Sequence, residues 1–350
     1  MPLQARTFIG EDIRESQVWT LSKSPYIVAL DVHVWANSEL RIEAGVKVLF
    51  SSQARLTVEG VIIAEGNPQK PIRFEGLKGM EWQGFVFQKN TADQPDDRII
   101  FSDTARNRFA HCIFQGVNNT PQTLFEVQGR ELNLTNCQIL DCHTGVQTDK
   151  QADCLVESSI FQRCYRPIHT RTTARCSLLN SQILDYSLIV LGGTAFFKKN
   201  VFSNTKISLQ SNQTGVLIWL TGAGVVNILD NTFKQSVGAA LTVYKTTRRS
   251  AIFVRNNLFE DNHTHLALSC GQATRCKLLV QHNHFYTPNI NQIALFDSCG
   301  YRLDTIRLDT NYSEMADLEA FVKYTEIAQP ANPSQTRLEI KALLPRRRQD

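Results

Sequence analysis

Short runs of alternating apolar and polar residues follow one another along most of the chain. Near the N-terminus, for example, Leu40, Ile42, Val46, Val48 and Phe50 are apolar, and polar residues or glycine separate most of them. Alternation with a period of two is the pattern of a β-strand that buries one face. Glycines follow several of these runs, where tight turns are expected. The pattern therefore predicts many short strands.

A four-residue signature recurs about every 25 residues from the middle of the chain onward. It consists of a polar residue, a small or amide residue, a variable residue, and then Phe, Ile or Tyr. The copies are residues 111–114, 136–139, 157–160, 180–183, 199–202, 230–233, 256–259, 282–285 and, in degenerate form, 309–312. Because the repeat is built from short strand-like pieces, it excludes two-helix repeats and predicts a parallel β-helix of stacked coils.

Stacking would align equivalent residues of successive copies into columns. The Phe/Ile column, which includes Phe202, Phe233, Phe259 and Phe285, is predicted to be an interior aromatic stack and not a sugar-binding platform. The column two residues earlier holds small polar residues, which can satisfy turn backbone groups of neighbouring coils as a ladder of amides does. The column three residues earlier is polar in all nine copies, which predicts an outward face.

The periodicity changes near the C-terminus. Met315, Leu318, Phe321 and Val322 have helical spacing behind Ser313, a residue type that caps helices. We therefore expect a helix over residues 314–327 that covers the open end of the stack, because uncovered coils expose strand edges. The predicted organisation is a lead-in over 1–19, a β-helix over 20–312 with an N-terminal module at 26–90 and regular coils at 108–312, a capping helix within 313–328, and a basic tail over 329–350.

The N-terminal module resembles the first coils of right-handed parallel β-helix proteins. The resemblance rests on residues 40–50, 56–60, 64–66, 71–74 and 82–84 and extends over about residues 20–325. Among animal proteins the chain is similar to the extracellular β-helix segments of large single-pass membrane proteins at epithelial tricellular junctions. The resemblance implies an all-β fold, a right-handed single-stranded parallel β-helix, and a role in cell junctions or adhesion.

Composition and charge exclude several classes of protein. With 42% hydrophobic and 20% charged residues the chain is globular, and its net charge of +4 gives no reason to expect a nucleic-acid partner. No apolar run approaches the roughly 20 residues of a membrane helix. The basic run at residues 346–348 is read as a solvated tail. No cofactor is expected.

Cysteine spacing favours an oxidising compartment. Several of the nine cysteines lie 22 to 25 residues apart, close to one coil, so partners would stack on adjacent coils. The predicted disulfides are Cys112–Cys137, Cys142–Cys164 and Cys154–Cys176, and Cys270, Cys276 and Cys299 can supply one more pair. At least one cysteine must then remain free or pair outside the chain.

Glycosylation sequons support the same compartment. They stand at Asn118, Asn133, Asn212, Asn262 and Asn311, the first weakened by the following Pro121. Cysteines and sequons together lead us to expect an extracellular chain. Because residues 1–6 contain no apolar signal-peptide stretch, we expect it to be a segment of a larger protein.

Catalytic chemistry has a weaker basis in the sequence. Polysaccharide lyases of this architecture cluster carboxylates around calcium, and glycoside hydrolases pair two carboxylates, whereas the carboxylates here are scattered over the repeat. The best enzyme constellation is Asp230, Asn256 and His282 with Arg255 and His284 nearby, and its alternative is a solvated polar face.

Two further clusters have both a functional and a structural interpretation. His263, His265, His282 and His284 could be read as metal ligands, but no ligand spacing requires it, and we predict no metal. A basic group could dock an acidic glycan or partner surface, or form solvated turns. That group is Arg163, Arg166, His169, Arg171 and Arg175.

The sequence thus predicts a non-catalytic extracellular scaffold of a cell-surface adhesion or junction protein. Its expected partners are cell-surface proteins or glycans, and it would reach a membrane only through other parts of a parent chain. The alternative is a secreted carbohydrate-active enzyme, a polysaccharide lyase or glycoside hydrolase.

Overall fold

The chain folds into stacked coils of short parallel strands. The computed structural model describes residues 6–89, 107–118, 121–204, 215–220, 222–245, 250–269 and 277–286, together with 293–297, 306–309, 312–313, 322–326, 339–341 and 344–345. Helix in this described part is limited to two 3₁₀ turns, Leu21–Lys23 and Leu77–Gly79, and no helix there is long and apolar enough to cross a membrane. The chain divides into two compact units, Met1–Pro167 and Ile168–Asp350.

In unit one each full coil adds one strand to each of three parallel sheets, A, B and C. Sheet A contains, in spatial order, β1 (Thr7–Ile9), β3 (Tyr26–Val28), β6 (Lys47–Phe50), β9 (Ile72–Gly76), β12 (Cys112–Val117), β15 (Gln138–Cys142) and β18 (Ile160–Gln162). Sheet B contains β4 (Val32–Val34), β7 (Leu56–Val58), β10 (Phe85–Gln88), β13 (Thr123–Gln128) and β16 (Thr144–Asp149). Sheet C contains β2 (Gln17–Trp19), β5 (Glu39–Ile42), β8 (Val61–Glu65), β11 (Asn107–Ala110), β14 (Glu131–Thr135) and β17 (Asp153–Glu157).

Unit two is built in the same way, and its sheets take the same letters. Sheet A contains β21 (Gln182–Leu184), β24 (Val201–Ser203), β27 (Thr232–Lys234), β30 (Leu258–Glu260), β33 (His284–Tyr286), β36 (Tyr312–Ser313) and β39 (Leu344–Pro345). Sheet B contains β22 (Leu188–Leu191), β25 (Gly215–Trp219), β28 (Ala239–Lys245), β31 (Thr264–Ser269), β34 (Ile293–Asp297) and β37 (Val322–Glu326). Sheet C contains β20 (Arg175–Leu179), β23 (Thr194–Lys198), β26 (Val225–Leu229), β29 (Ala251–Arg255), β32 (Lys277–Gln281), β35 (Ile306–Asp309) and β38 (Glu339–Lys341). Strand β19 (Arg166–Thr170) contains the boundary between the units and pairs with β22.

The predicted interior aromatic column is confirmed. In unit one the rings of Phe74 and Phe114 stack with centroids 4.9 Å apart. In unit two Phe233 stacks on Phe202 at 4.7 Å and on Phe259 at 4.9 Å. These side chains are buried, because in-register parallel pairing repeats the same inward position in each coil. The side chain of Phe285 lies outside the described residues.

The predicted amide ladder is also confirmed, in unit two. Asn200, Asn231, Asn257 and Asn283 are buried in successive coils. The Nδ2 of each of the first three donates to the Oδ1 of the next asparagine, at 2.9, 3.1 and 2.9 Å along the series. Each Oδ1 also accepts the backbone N–H of the preceding coil's residue, as in Asn231 N to Asn257 Oδ1 at 2.9 Å. Buried turn groups are thereby satisfied without water.

One copy of the repeat is out of register with the prediction by one residue. Strand β18 pairs Ile139 with Phe161 and not with Ile160. Phe161 is accordingly buried, and Ser159 takes the position of the small polar residue, where its Oγ accepts the backbone N–H of Cys137 at 3.0 Å. The two adjacent serines at 158 and 159 made the copy ambiguous in sequence, and packing of the larger Phe ring decides it.

The prediction of a C-terminal helix over residues 314–327 is wrong in the part that the structure describes. Val322–Glu326 is strand β37, paired in parallel with β34, and Ser313 belongs to strand β36. The β-branched and aromatic residues of β37 suit a strand, and the open sheet edge supplies its hydrogen bonds. Residues 314–321 lie outside the described residues. Strands also occupy parts of the predicted lead-in and tail, since β1 pairs with β3 and β38 pairs with β35.

Among the residues that the structure describes, no predicted disulfide is formed. Cys112, Cys137, Cys142, Cys164 and Cys176 are buried and carry free thiols. Sequence spacing placed the first two pairs correctly at neighbouring positions of adjacent coils, but spacing alone does not decide whether an S–S bond is present. The predicted Cys154–Cys176 bond is also absent, because Cys176 carries a free thiol. Cys270, Cys276 and Cys299 lie outside the described residues.

Candidate functional site

The outward side of sheet B in unit one carries mostly polar side chains. Inward positions of its strands hold residues such as Val34, Val58 and Phe87, so the alternate residues point outward. Register aligns these outward residues into two columns, which we call the sheet B face. Its first column is Asp12, His33, Thr57, Val86, Glu126 and Gln147, and its second column is Arg14, Trp35, Glu59, Gln88, Gln128 and Asp149.

At one end of the sheet B face an aspartate organises an aromatic pair. Asp12 accepts the backbone N–H of His33 at 3.0 Å and the indole N–H of Trp35 at 3.2 Å. The His33 and Trp35 rings stack with centroids 4.9 Å apart, and Arg14, itself 71% exposed, lies 4.7 Å from the indole centroid. The hydrogen bond from His33, then that from Trp35 and the nearby positive groups, lower the pKa of Asp12. The carboxylate is therefore ionised over a wide pH range.

Beside this group lies a half-buried carboxylate and imidazole pair. His33 Nε2 is 3.4 Å from Glu59 Oε2, with the His33 side chain 25% and the Glu59 side chain 10% exposed. Gln88 Nε2 donates to the other carboxylate oxygen at 3.3 Å. Arg130 donates to the carbonyl of Gly60; burial lowers the pKa of Arg130, and the charge of Glu59 opposes that shift. A carboxylate held against an imidazole can hold or move a proton.

The other end of the sheet B face is a chain of oriented polar groups. Gln128 Nε2 donates to Glu126 Oε1 at 2.6 Å, and Lys150 Nζ donates to Gln128 Oε1 at 2.7 Å. These bonds fix the amide so that its donor points to the carboxylate and its acceptor to the ammonium. The resulting surface offers donors and acceptors at the spacing of the coils, about 4.8 Å.

The predicted enzyme constellation is a column of exposed turn residues in unit two. Asp230, Asn256 and His282 all have positive φ, at 56°, 54° and 54°. Asn256 Nδ2 donates to Asp230 Oδ1 at 3.1 Å, and Lys198 Nζ lies 3.9 Å from Asp230 Oδ2. Asn, Asp and His are the residue types that tolerate the left-handed region best, so backbone conformation accounts for them. The three residues therefore do form a column, and that column is an exposed polar edge of the coils.

The neighbouring members of that constellation point elsewhere. The Arg255 guanidinium lies over the ring of Phe253, 5.2 Å from its centroid, and His284 is exposed on β33. His265 is fully buried, and its Nδ1 lies 3.1 Å from Asn262 Nδ2, whereas His263 is exposed in the preceding turn. The two histidines face opposite sides of the coil and cannot share a metal ion.

The basic cluster predicted between residues 163 and 175 divides between the two units. Arg163 forms a two-bond pair with Asp141 on sheet A of unit one, at 2.6 and 2.9 Å, so its charge is compensated. Burial, followed by the charge of Arg166, lowers the pKa of His143 in the same unit. Arg171 and Arg175 are exposed in unit two, to which His169 also belongs.

Among the glycosylation candidates, Asn262 is ruled out by its position. It is 2% exposed, and its Nδ2 donates to the carbonyl of Phe233 at 2.9 Å, so a glycan there would displace the core. Asn133 is half-buried on the outward side of sheet C, and Asn118 is exposed. Asn212 and Asn311 lie outside the described residues.

The sheet B face is absent from the sequence predictions, although the sequence contains a signal for it. Asp12, His33 and Glu59 lie about one coil apart, and His33 and Trp35 alternate with buried valines. The sequence of the N-terminal module indicates the fold, and its outward residues contribute to the sheet B face. Coil lengths also vary there, so the columns align only once the register is known.

Comparison with known proteins gives one family match. The sequence profile described as right handed beta helix region matches residues 123–311. The structure of alginate lyase from Paenibacillus sp. str. FPU-7 aligns with a TM-score of 0.39 at 12% identity, over 81% of this chain and 92% of that chain. Two structures of the GH87 α-1,3-glucanase catalytic domain, one with nigerose and one with tetrasaccharides, align with TM-scores of 0.41 and 0.42 at 9% identity, over 83% of this chain and 64% of those chains. No curated protein matches the sequence.

Proposed function

The chain belongs to the right-handed β-helix family, and from that premise we propose that it is a carbohydrate-active protein that holds a polysaccharide along the sheet B face. The observation that carries this proposal is the half-buried Glu59–His33 pair within two outward columns of mostly polar side chains. The fold alone specifies no function, so the proposal rests on this surface.

The sheet B face has the shape and chemistry that an extended glycan requires. Parallel strands repeat their outward side chains about every 4.8 Å, which makes a stiff and periodic row of hydrogen-bonding groups. A polysaccharide is likewise a linear repeat of hydroxyl groups and apolar ring faces. Gln88, Gln128 and Glu126 supply donors and acceptors. The indole of Trp35, 36% exposed, would supply a ring surface if the exposed Arg14 side chain moved aside.

Within this face Glu59 and His33 are the proposed acid–base pair. Their low exposure weakens competition from water, and Gln88 donates to the carboxylate that lies beside the imidazole. The pair could take a proton from a sugar carbon beside a uronate carboxylate, or give one to a glycosidic oxygen. Both reactions belong to the lyase and hydrolase class that is the alternative function predicted from the sequence.

Binding and turnover assays test the proposal. We expect the full chain to bind at least one member of a panel of uronate-containing and neutral polysaccharides, with or without calcium, by calorimetry. Glu59→Gln and His33→Gln should each lower kcat/KM about 100-fold or more, because a positioned proton-transfer group contributes that much. Glu65→Gln, an exposed carboxylate on sheet C, is the matched control.

Each outcome decides one part of the proposal. Loss of activity in Glu59→Gln but not in Glu65→Gln supports the acid–base pair. Binding without turnover, weakened by changes on the sheet B face, supports glycan recognition and refutes the catalytic role. If the chain binds none of the panel, or if Glu59→Gln equals the control, the proposal is rejected.

The second candidate function is the extracellular adhesion or junction scaffold. One argument for it is that the N-terminal module resembles the β-helix segments of the tricellular-junction protein bark beetle. The other is the stiffness that stacked, in-register coils give. Labelled chain that decorates cell borders or captures an ectodomain, while remaining inactive on every glycan of the panel, would support this function over the first.

A further inference from the structure

Unit one contains two pairs of thiols on neighbouring coils. Strand β12 pairs Ile113 with Gln138, which places Cys112 beside Cys137 at the position just before. Strand β15 pairs Leu140 with Gln162, which places Cys142 beside Cys164 two residues later. Aligned residues of parallel strands have Cα atoms about 4.8 Å apart, inside the range that a disulfide spans.

The sulfur atoms of each pair make equivalent contacts in adjacent coils. Cys112 Sγ lies 3.4 Å from the carbonyl of Ala110, and Cys137 Sγ lies 3.4 Å from that of Thr135, which is the same contact one coil later. Cys142 Sγ lies 3.3 Å from the carbonyl of Leu140. The side chains of Cys112 and Cys137 also contact each other, as do those of Cys142 and Cys164. A bond between the sulfurs of a pair therefore needs little movement of the backbone.

The same burial prevents the folded thiols from reacting. All four cysteines are at most 1% exposed. Burial and the neighbouring thiol raise the pKa of Cys112, and the Cys164 thiol followed by burial raises that of Cys142. Thiolate, and not thiol, is the nucleophile in disulfide exchange, and a buried thiol is also out of reach of an oxidant.

We propose that Cys112/Cys137 and Cys142/Cys164 are modification sites whose oxidation state is set while the coils are still open and is locked once they close. The oxidant is an external disulfide of the glutathione class. In each pair two S–H bonds break and one S–S bond forms; the two electrons and two protons pass to the external disulfide, which leaves as two thiols. The two bonds would join three successive coils of unit one. This proposal is independent of the proposed function.

Refolding in defined redox buffers tests the proposal on the full chain. Chain refolded with oxidised and reduced glutathione should give Cys112–Cys137 and Cys142–Cys164 on non-reducing peptide mapping, with a Tm several degrees above that of reduced chain. Chain that is first folded in reductant and then given the same buffer should form these bonds at least about 100-fold more slowly.

Single variants separate the two bonds and guard against misfolding. Cys137→Ser introduces the residue type that Ser159 already supplies at this position one coil later, and it should abolish only the first bond. Cys164→Ala should abolish only the second. The proposal fails if all four thiols remain alkylatable after oxidative refolding, if the bonds join other cysteines, or if folded and unfolded chains oxidise equally fast.

Discussion

At the scale of single residues, neighbouring positions of the repeat serve different physical needs. Asn256 and Asn257 are adjacent, yet Asn256 is exposed with a φ of 54°, and Asn257 is buried in the amide ladder. The exposed position selects residues that tolerate the left-handed region, and the buried one selects side chains that both donate and accept. A polar residue in this repeat is therefore weak evidence of a catalytic site.

His265 provides a residue-scale prediction about pH. Burial lowers its pKa to about 3, so the folded chain keeps the imidazole neutral while the unfolded chain protonates it near pH 6.5. As pH falls from 6.5 towards 3, the unfolded state gains a proton that the folded state lacks, and stability falls. Between pH 7 and pH 5 we expect a loss of about 2 kcal/mol from this group in the free energy of unfolding.

Urea unfolding at the two pH values measures that loss. His265→Gln removes the titrating group and should flatten the pH dependence, whereas His263→Gln, at an exposed turn, should leave it unchanged. Equal pH dependence in His265→Gln and in the parent chain would contradict the assignment.

At the scale of elements, the turn before strand β10 shows how a three-residue motif, residues 82–84, brings adjacent coils into close contact. The Trp82 ring stacks on Phe50 with centroids 3.9 Å apart, and its Nε1 donates to the carbonyl of Gln115 at 2.9 Å. Gly84 has a φ of 75°, and a Cβ there would lie 2.4 Å from the carbonyl oxygen of Thr123. The Trp-Gln-Gly motif thus encodes close approach of adjacent coils.

Two glycine variants separate collision from backbone strain. Gly84→Ala should lower the free energy of unfolding by about 3 kcal/mol, since it adds a steric clash with the next coil to an unfavourable φ. Gly79→Ala has a similar φ of 76° but open space around the new Cβ, and it should cost only about 1 kcal/mol. Thermal or urea unfolding of both variants measures the difference, and equal costs would show that contact between coils is unimportant at Gly84.

The same elements show what could be predicted from the sequence. Stacking converts a sequence period directly into columns, so the Phe233 stack and the Asn231 ladder followed from spacing alone. The C-terminal helix prediction was wrong because it considered only the helical spacing of apolar residues. In the structure Val322–Glu326 pairs with the open sheet edge at β34 instead. The Glu59–His33 pair depends on register between coils of unequal length, which spacing does not define.

At the scale of the whole molecule, each of the two units is a repeat array in which most contacts join adjacent coils. In such arrays stability is the sum of coil and interface terms, and a local defect spreads mainly to its neighbours. Unit one contains the sheet B face and the two thiol pairs, and unit two contains the amide ladder. Damage to the ladder should therefore be separable from the proposed chemistry.

Asn257→Ala tests this separation by hydrogen exchange. It removes an acceptor for Asn231 and a donor to Ile228 and Asn283, all buried, and should cost about 2–4 kcal/mol. Asn227→Ala, on the outward side of β26, is the control and should cost less than about 0.5 kcal/mol. Protection should fall in strands of unit two around Asn257 and persist in unit one; loss of protection across both units would instead make the whole solenoid one cooperative body, in which no coil could open alone for oxidation or ligand exchange.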